Sequence, residues 1–374
     1  MHFALSLLVC CLVACAPYRP PPEPPRLVVA RAPVRVFAEA AAPAQLTVLV
    51  RAGTAYDPVG REGTAFVYAH GVAALAGVSV EVGPELVAFV APPGAEASLA
   101  KALGASVSPD ILGAGRMEAA VAYRGHGCRS LARRLVEVAA WAGTPYGHAA
   151  AGRDGVPDTL SVGELEGFRS LRYVRDAVVV IADGAVDATA FATLFPPVMS
   201  RTVTPAIRAR ESRPSLVVGA PVSEACTAFS PQRLDGWSPT DEAAYLVARE
   251  LAGLAPSPAR VDPAVSLELD GAFAEFPGLT GDFAAARYSV AARLTLPTAR
   301  WTGEWALLGS LRGSQFPAVA PVKAAIEALT EPALTDWLAA RFGGDAVVVQ
   351  VHPAAAALES LTTANVVSSE DMLR

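Results

Sequence analysis

Lysine is nearly absent from this chain: Lys101 and Lys323 are the two in 374 residues. Thirty Lys and Arg against 36 Asp and Glu leave a formal net charge of −6. That balance excludes the basic face that phosphate-backbone binding needs, so no nucleic-acid partner is expected. Long hydrophobic runs are missing as well. The apolar run Ala4–Val9 near the start is too short for a permanent membrane-spanning helix. A G-x-S-x-G nucleophile elbow is lacking, and neither Cys128 nor Cys226 has the setting of a Cys/His nucleophile. Charged residues are scarce at 18% and apolar ones plentiful at 52%, which excludes disorder and gives material for two well-packed domains.

The five cysteines divide by position. Met1–Ala14 has the weakly basic start and apolar core of a secretory signal, and Cys10 and Cys11 leave with it. Leu12-Val13-Ala14-Cys15 resembles the lipobox of bacterial lipoproteins, which implies lipidation at Cys15; the alternative is a plain signal with a chance cysteine. Ala16 rather than aspartate follows, which by the same resemblance favours the outer membrane, its periplasmic face. Pro17–Pro25 is a polyproline II tether of about 25–30 Å at roughly 3 Å per residue. Cys128 and Cys226 remain. An oxidising compartment permits them to pair, but they lie in different halves and nothing in the sequence brings them together.

The stretch 46–77 reads as strand, turn and helix. Leu46–Val50 is a short apolar run suited to a buried strand, and Asp57-Pro58 with Gly60 and Gly63 forms the turn. Thr64 is placed to cap a helix, and Ala65–Leu75 is apolar almost all round, so that helix should be buried.

This segment resembles the opening of the insulinase-like M16 metallopeptidases, where an A-G-S-x-x-[DE]-x-P-x-x-x-G-x-A turn leads into a helix carrying H-x-x-E-H. The turn is kept from Gly53 to Gly63, and the five motif positions then fall on Phe66, Val67, Tyr68, Ala69 and His70. The motif binds zinc through two histidines one helical turn apart, and its glutamate activates the metal-bound water. Phe66 has no lone pair for a metal, Ala69 takes no proton, and His70 alone matches. The family's third ligand, a glutamate on a later helix, falls within Arg116–Arg124, where Glu118 is the one acid. The resemblance therefore implies an M16 fold without M16 chemistry: no catalytic residue, no metal ligand set, no cofactor.

Val78–Val90 reads as two strands joined at Gly83-Pro84, followed by a helix over Glu96–Leu103, again as in the family, though the family's helix between motif and hairpin is missing. Met117–Ala142 carries a helical pattern with Leu131, Leu135 and Val138 on one face and Arg129, Arg133 and Arg134 turned away. Trp141–His148 resembles the H-P-[LY]-G segment; His148 and His126 are read as solvated loop residues rather than partners of His70 in a metal site. Arg153–Asp158 is read as a turn, since it lacks the alternating acids of a calcium loop. Ala285–Leu294 resembles the family's G-L-A-Y-S-V-x-A-x-L strand. Tyr288 matches its substrate-binding tyrosine, Gly281 stands where the arginine belongs, and alternation gives Arg287 and Arg293 a solvated face.

An internal repeat supports two related units. Leu165–Val180 aligns without gaps to Leu334–Val349 at an offset of 169, pairing Asp176-Ala-Val-Val-Val with Asp345-Ala-Val-Val-Val. The same offset sets Leu46–Val50 against Ser215–Gly219, and Tyr245–Gly253 echoes the helix ending at Gly77. The expected fold is α+β: two homologous α/β domains, each a mixed, mainly antiparallel sheet covered by helices. The expected division is signal 1–14, lipidated tether 15–26, first domain 27–200, linker 201–214 and second domain 215–374. By resemblance, one such unit supplies half of a peptidase chamber. Its expected role is as an accessory subunit of an active zinc-dependent M16 peptidase in the cell envelope. The alternative is a stand-alone peptide-binding or scaffold lipoprotein, self-dimerising through the same face.

Overall fold

A computed structural model describes residues 26–28, 35–39, 44–124, 127–152, 155–184, 186, 188–191, 194–196, 216–231, 237–254, 265–295, 307, 319–344, 346–353 and 365–368. The signal, the tether with Cys15, the linker 201–214 and His126 lie outside them.

The first sheet collects β1 (Arg26–Val28), β2 (Arg35–Glu39), β3 (Gln45–Val50), β4 (Ser79–Val82), β5 (Val87–Ala91) and β6 (Val178–Asp183) in the order β1-β2-β6-β3-β5-β4. One face carries Leu46, Val48, Phe89 and Val180. It is covered by α1 (Thr64–Ala76), α2 (Glu96–Gly104), α3 (Pro109–Arg124) and α5 (Val162–Arg172). The second sheet has the order β11-β7-β10-β8-β9. Its strands are β7 (Leu216–Ala220), β8 (Cys226–Ser230), β9 (Leu267–Asp270), β10 (Val347–Pro353) and β11 (Asn365–Ser368). Phe229, Leu267 and Val348 face α6 (Pro239–Leu251), α7 (Phe283–Thr295), α8 (Val319–Ala328) and α9 (Glu331–Phe342). The two-sheet α+β architecture is thus the expected one, as are the β4–β5 hairpin and the helix-into-strand units α5–β6 and α9–β10.

The other faces reveal how the halves are joined. Val347, Val349 and Val351 alternate with Val348 along β10 and point away from α9. They pack on α4 (Cys128–Ala140), a helix of the first half whose Leu131, Leu135, Val136 and Ala139 are buried there. On the first sheet, Leu49, Val179 and Ile181 on the second face are joined by Leu307, from the second half. Each half therefore helps cover the other's sheet.

Four sequence expectations are corrected. Met117–Ala142 is two helices, because α3 ends at Arg124 and α4 starts after Gly127, whose backbone is extended. Val138 is only half-buried and Val136 takes its place on the apolar face, while Arg129 binds Asp270 on β9, Arg133 binds Glu137 and Arg134 donates to the Ala122 carbonyl. The repeat is registered differently at its start: β6 lies parallel to β2 and antiparallel to β3, while β10 lies parallel to β7 and antiparallel to β8. So β7 answers to β2, and Gln45–Val50 answers to Cys226–Ser230 rather than to 215–219. Short apolar runs do not disclose strand direction, which is what separates the two matches. Finally, Ala285–Leu294 is helical, not a strand, lying in α7. Alanine favours helix, and Ala286, Val290 and Leu294, spaced by four, bury one face of it.

Cys128 and Cys226 form a disulfide, Cα to Cα 5.9 Å, between the first residue of α4 and the first of β8. Replacing both with alanine should lower stability by about 2–4 kcal/mol, since the bridge closes a loop with a sequence separation of 98. Urea unfolding with and without reductant measures this, and reductant should leave the double variant unchanged.

Where α1 crosses α3 the backbones touch. A Cβ on Gly115 would lie 1.9 Å from the Val67 carbonyl oxygen, and one on Gly71 2.1 Å from that of Ile111. Gly115→Ala should therefore cost about 1–3 kcal/mol through forced separation of the helices, read as a lowered urea midpoint at unchanged slope.

Candidate functional site

The site is built on the first turns of α1. A single 3-10 turn over Thr54–Tyr56 follows β3, and the chain then reaches Asp57, whose carboxylate is buried. Its Oδ2 accepts from the Gly63 N–H at 2.6 Å and its Oδ1 from the Ala65 N–H at 2.7 Å. A carboxylate there satisfies two free N–H groups and the positive end of the helix. Thr64 does not cap α1 as the sequence suggested; its hydroxyl donates to the Arg61 carbonyl at 2.6 Å.

Asp57 is supported by His148, which is buried rather than solvated. Its Nε2 lies 3.1 Å from the Thr54 carbonyl oxygen and 4.0 Å from Asp57 Oδ2, and its Nδ1 lies 3.0 Å from the Ala149 carbonyl oxygen. Carbonyl oxygens only accept, so a ring nitrogen that bonds to one does so as a donor, while burial pushes the Asp57 carboxyl well above the ordinary carboxylate range against the pull of the Ala65 and Gly63 N–H groups. The same loop is fixed by Tyr146, whose buried hydroxyl donates to Glu85 Oε1 at 2.9 Å. Trp141 and Tyr146 close this core.

Along α1, Val67, Tyr68 and Ala69 are fully buried and Phe66 is nearly so. The Phe66 ring stacks on His70 one turn further along, centroids 3.9 Å apart and planes 26° from parallel. Tyr68 points elsewhere, edge-on to Tyr173 at 4.7 Å. Burial lowers the proton affinity of His70 below its ordinary value, and Glu118 on α3 pulls weakly in the opposite sense. Glu118 itself is exposed. Neighbouring Arg116 is spent on structure, donating to the carbonyls of Pro157, Asp158 and Leu160.

The zinc of an H-x-x-E-H site does not fit this donor set. One of the two histidine positions is a phenylalanine ring lying flat on the other. The position of the water-activating carboxylate is a methyl group with no exposure. Among the described residues, no three His, Cys, Asp or Glu side chains are grouped to hold a metal ion.

The second-half position is also changed. Tyr288 stands 77% exposed on α7 rather than on a strand. Arg287 donates to the Leu329 carbonyl, and Arg293 lies 3.5 Å from Glu250. Gly281 has a φ of +156° at the loop before α7. Sequence reasoning missed Asp57 as the cap and Glu85 as the tether of the Trp141–His148 loop. The acid at the fifth position of the turn was the available signal for the first; a long-range contact such as the second leaves none.

No protein-family model matches the sequence, and a search of curated proteins also finds no match. Solved structures do match. A protease from Helicobacter pylori superposes with a TM-score of 0.61 at 12% identity, over 88% of this chain and 100% of that one. An inactive M16 peptidase domain from Pseudomonas fluorescens gives 0.52 at 14%, over 88% and 98%. The first half of the periplasmic protease PqqL from Escherichia coli gives 0.58 at 12%, over 95% and 96%; against whole PqqL this chain covers 49% of that protein.

Because His70 is held neutral by burial, its folded-state proton affinity lies below that of the unfolded chain, whose histidines titrate near pH 6.5. Its contribution to stability is therefore complete above about pH 6.5 and is lost as pH falls through the folded value. His70→Gln should make the decline of stability between about pH 7 and 5 shallower, as followed by urea unfolding across that range. Together the sheets, the connections and these superpositions give the chain the fold of the M16 peptidases.

Proposed function

We propose that this chain is a non-catalytic M16-fold protein of the cell envelope, working as the accessory subunit of an active M16 peptidase. The observation that carries the reading is the Phe66 ring stacked on His70. A side chain without a lone pair occupies a ligand position and covers the one imidazole that remains. Ala69 supplies no general base, so neither half of the zinc-and-base chemistry has a residue to perform it. The correspondence to one half of PqqL, at 49% of its length, supports a unit that needs a second one to complete a chamber. An inactive M16 domain of the same size among the structural neighbours supports the same division of labour.

Location follows from Cys15 and the tether, which we read as a lipid anchor on the periplasmic face of the outer membrane. The periplasmic origin of PqqL supports the compartment, and the Cys128–Cys226 disulfide suits an oxidising one.

The test is made on the full-length chain purified in detergent, loaded with zinc and washed. Less than stoichiometric zinc and no peptide cleavage are expected for the protein alone, with increased cleavage when an H-x-x-E-H-bearing M16 subunit from the same host is added. Stoichiometric zinc with cleavage by the chain alone overturns the proposal. No effect on any such subunit overturns the accessory role and leaves the stand-alone binding protein.

A further inference from the structure

The bridge between Cys128 and Cys226 is unequal at its two ends. Cys226 opens β8 with no exposure, in the apolar cluster that α4 covers, and the strand register sets it opposite Asp270 on β9. Cys128 is the first residue of α4 and is half-buried. Gly127 and Ser130 beside it are exposed, and a Cβ on Gly127 would meet none of the described residues within 4 Å. A thiol in solution therefore reaches the Cys128 sulfur and not that of Cys226. Gly127 gives α4 no side-chain cap, so the positive end of the helix is left to favour a thiolate at Cys128.

A second link runs beside the bridge. Arg129 holds both carboxylate oxygens of Asp270, the residue opposite Cys226. Covalent bond and ion pair thus join consecutive residues of α4 to paired positions on β8 and β9. Leu131, Leu135 and Val136, packed with Val347, Val349 and Val351, seat the rest of the helix. Opening the bridge leaves these contacts in place. Two thiols kept together in this way re-form it as an intramolecular step, at the high effective concentration of a tethered pair. A staple that only resists unfolding needs neither the unequal burial nor the second link.

We infer that Cys128 and Cys226 form a reversible thiol–disulfide exchange centre whose substrate is a dithiol. One thiolate of the dithiol attacks the Cys128 sulfur, the bond to Cys226 breaks, and Cys226 leaves with the electron pair and takes up a proton. The second thiolate then attacks the dithiol's own sulfur in the mixed disulfide and expels the Cys128 thiolate, which the helix end makes a good leaving group. Two electrons pass from the dithiol to the two cysteines, its two protons go to Cys226 and to Cys128 or water, and the dithiol closes to a disulfide. The reverse sequence re-forms the bridge. The two states differ in whether the first half is covalently tied to the second sheet, and they do so whether or not α1 is catalytic.

The oxidised full-length chain, kept free of denaturant, tests this. Dithiothreitol at about pH 7 should open the bridge while the circular dichroism of the folded chain is kept. Glutathione, a monothiol used as a trap, should be found on Cys128 at least tenfold more than on Cys226 by peptide mass mapping. In the reduced chain the alkylation of Cys128 by iodoacetamide should have its pH midpoint below about 7.5, against about 8.5 for an ordinary thiol. Arg129→Gln should slow re-formation of the bridge at least twofold, and Arg129→Lys should restore it. A bridge opened only once urea unfolds the chain, glutathione shared equally by the two cysteines, a Cys128 midpoint at the ordinary thiol value, or re-formation as fast in Arg129→Gln as in the unaltered chain overturns the proposal.

Discussion

The structure depends on a helix covering a sheet that its own half did not build. α4 belongs to the first half in sequence, yet it supplies the second layer of the second sheet, burying Leu131, Leu135 and Val136 against Val347, Val349 and Val351. Leu307 makes the converse contribution to the first sheet at Leu49, Val179 and Ile181. Central strands that are apolar on both faces require two covers, and a helix layer on one face leaves the other wet. Exchange solves this for both sheets at once. It also ties the two halves together through shared apolar clusters. The Cys128–Cys226 bridge and the Arg129–Asp270 pair both sit at the end of α4 where the exchange begins. The ion pair is exposed and weak, so the covalent bond is the larger stabilising term there.

The same economy of packing explains α1. A helix that carries zinc ligands must keep polar groups directed at a cleft, at the expense of apolar contact. Here the positions that align with the motif's first ligand and base are Phe66 and Ala69, both closed from solvent, and Gly71 and Gly115 let α3 approach backbone to backbone. Asp57 caps the helix from the turn, so the start of α1 is fixed by the turn and not by the residues at the motif positions. Val67, Tyr68 and Ala69 join the core cluster without interruption.

Local patterns were legible in the sequence. Gly83-Pro84 between β-branched runs announced the β4–β5 hairpin, and the repeated Asp-Ala-Val-Val-Val announced β6 and β10. What failed was information that lives between elements. The segment 285–294 was read as a strand because Tyr-Ser-Val matched a family strand, although its alanines favour a helix that the spacing of Ala286, Val290 and Leu294 completes. Leu46–Val50 and Leu216–Ala220 look alike as runs, and only strand direction shows that they are not equivalents. A loop histidine such as His148 has no periodicity to betray its burial, so the sequence points to a solvated ring where the structure buries it. The pairing of Cys128 with Cys226 stays open in the sequence because the exchange of α4 across halves, which brings them together, has no sequence signature.

The equivalent helix of the second half buries charge that is tied into the architecture. α6 follows β8 as α1 follows β3, yet it buries Asp241, Glu242 and Arg249 where α1 is apolar. Each has structural partners. Asp241 caps the helix through Ser238 and accepts from Trp337 and Arg341. Glu242 accepts from the Trp237 indole at 2.8 Å. Arg249 donates to the Ser266 carbonyl and faces Glu268, which in turn accepts from the Ser266 hydroxyl. Removing one member would strand the others in a low dielectric, the situation in which a buried charge becomes costly. These residues therefore tie α6 to β9 and to α9.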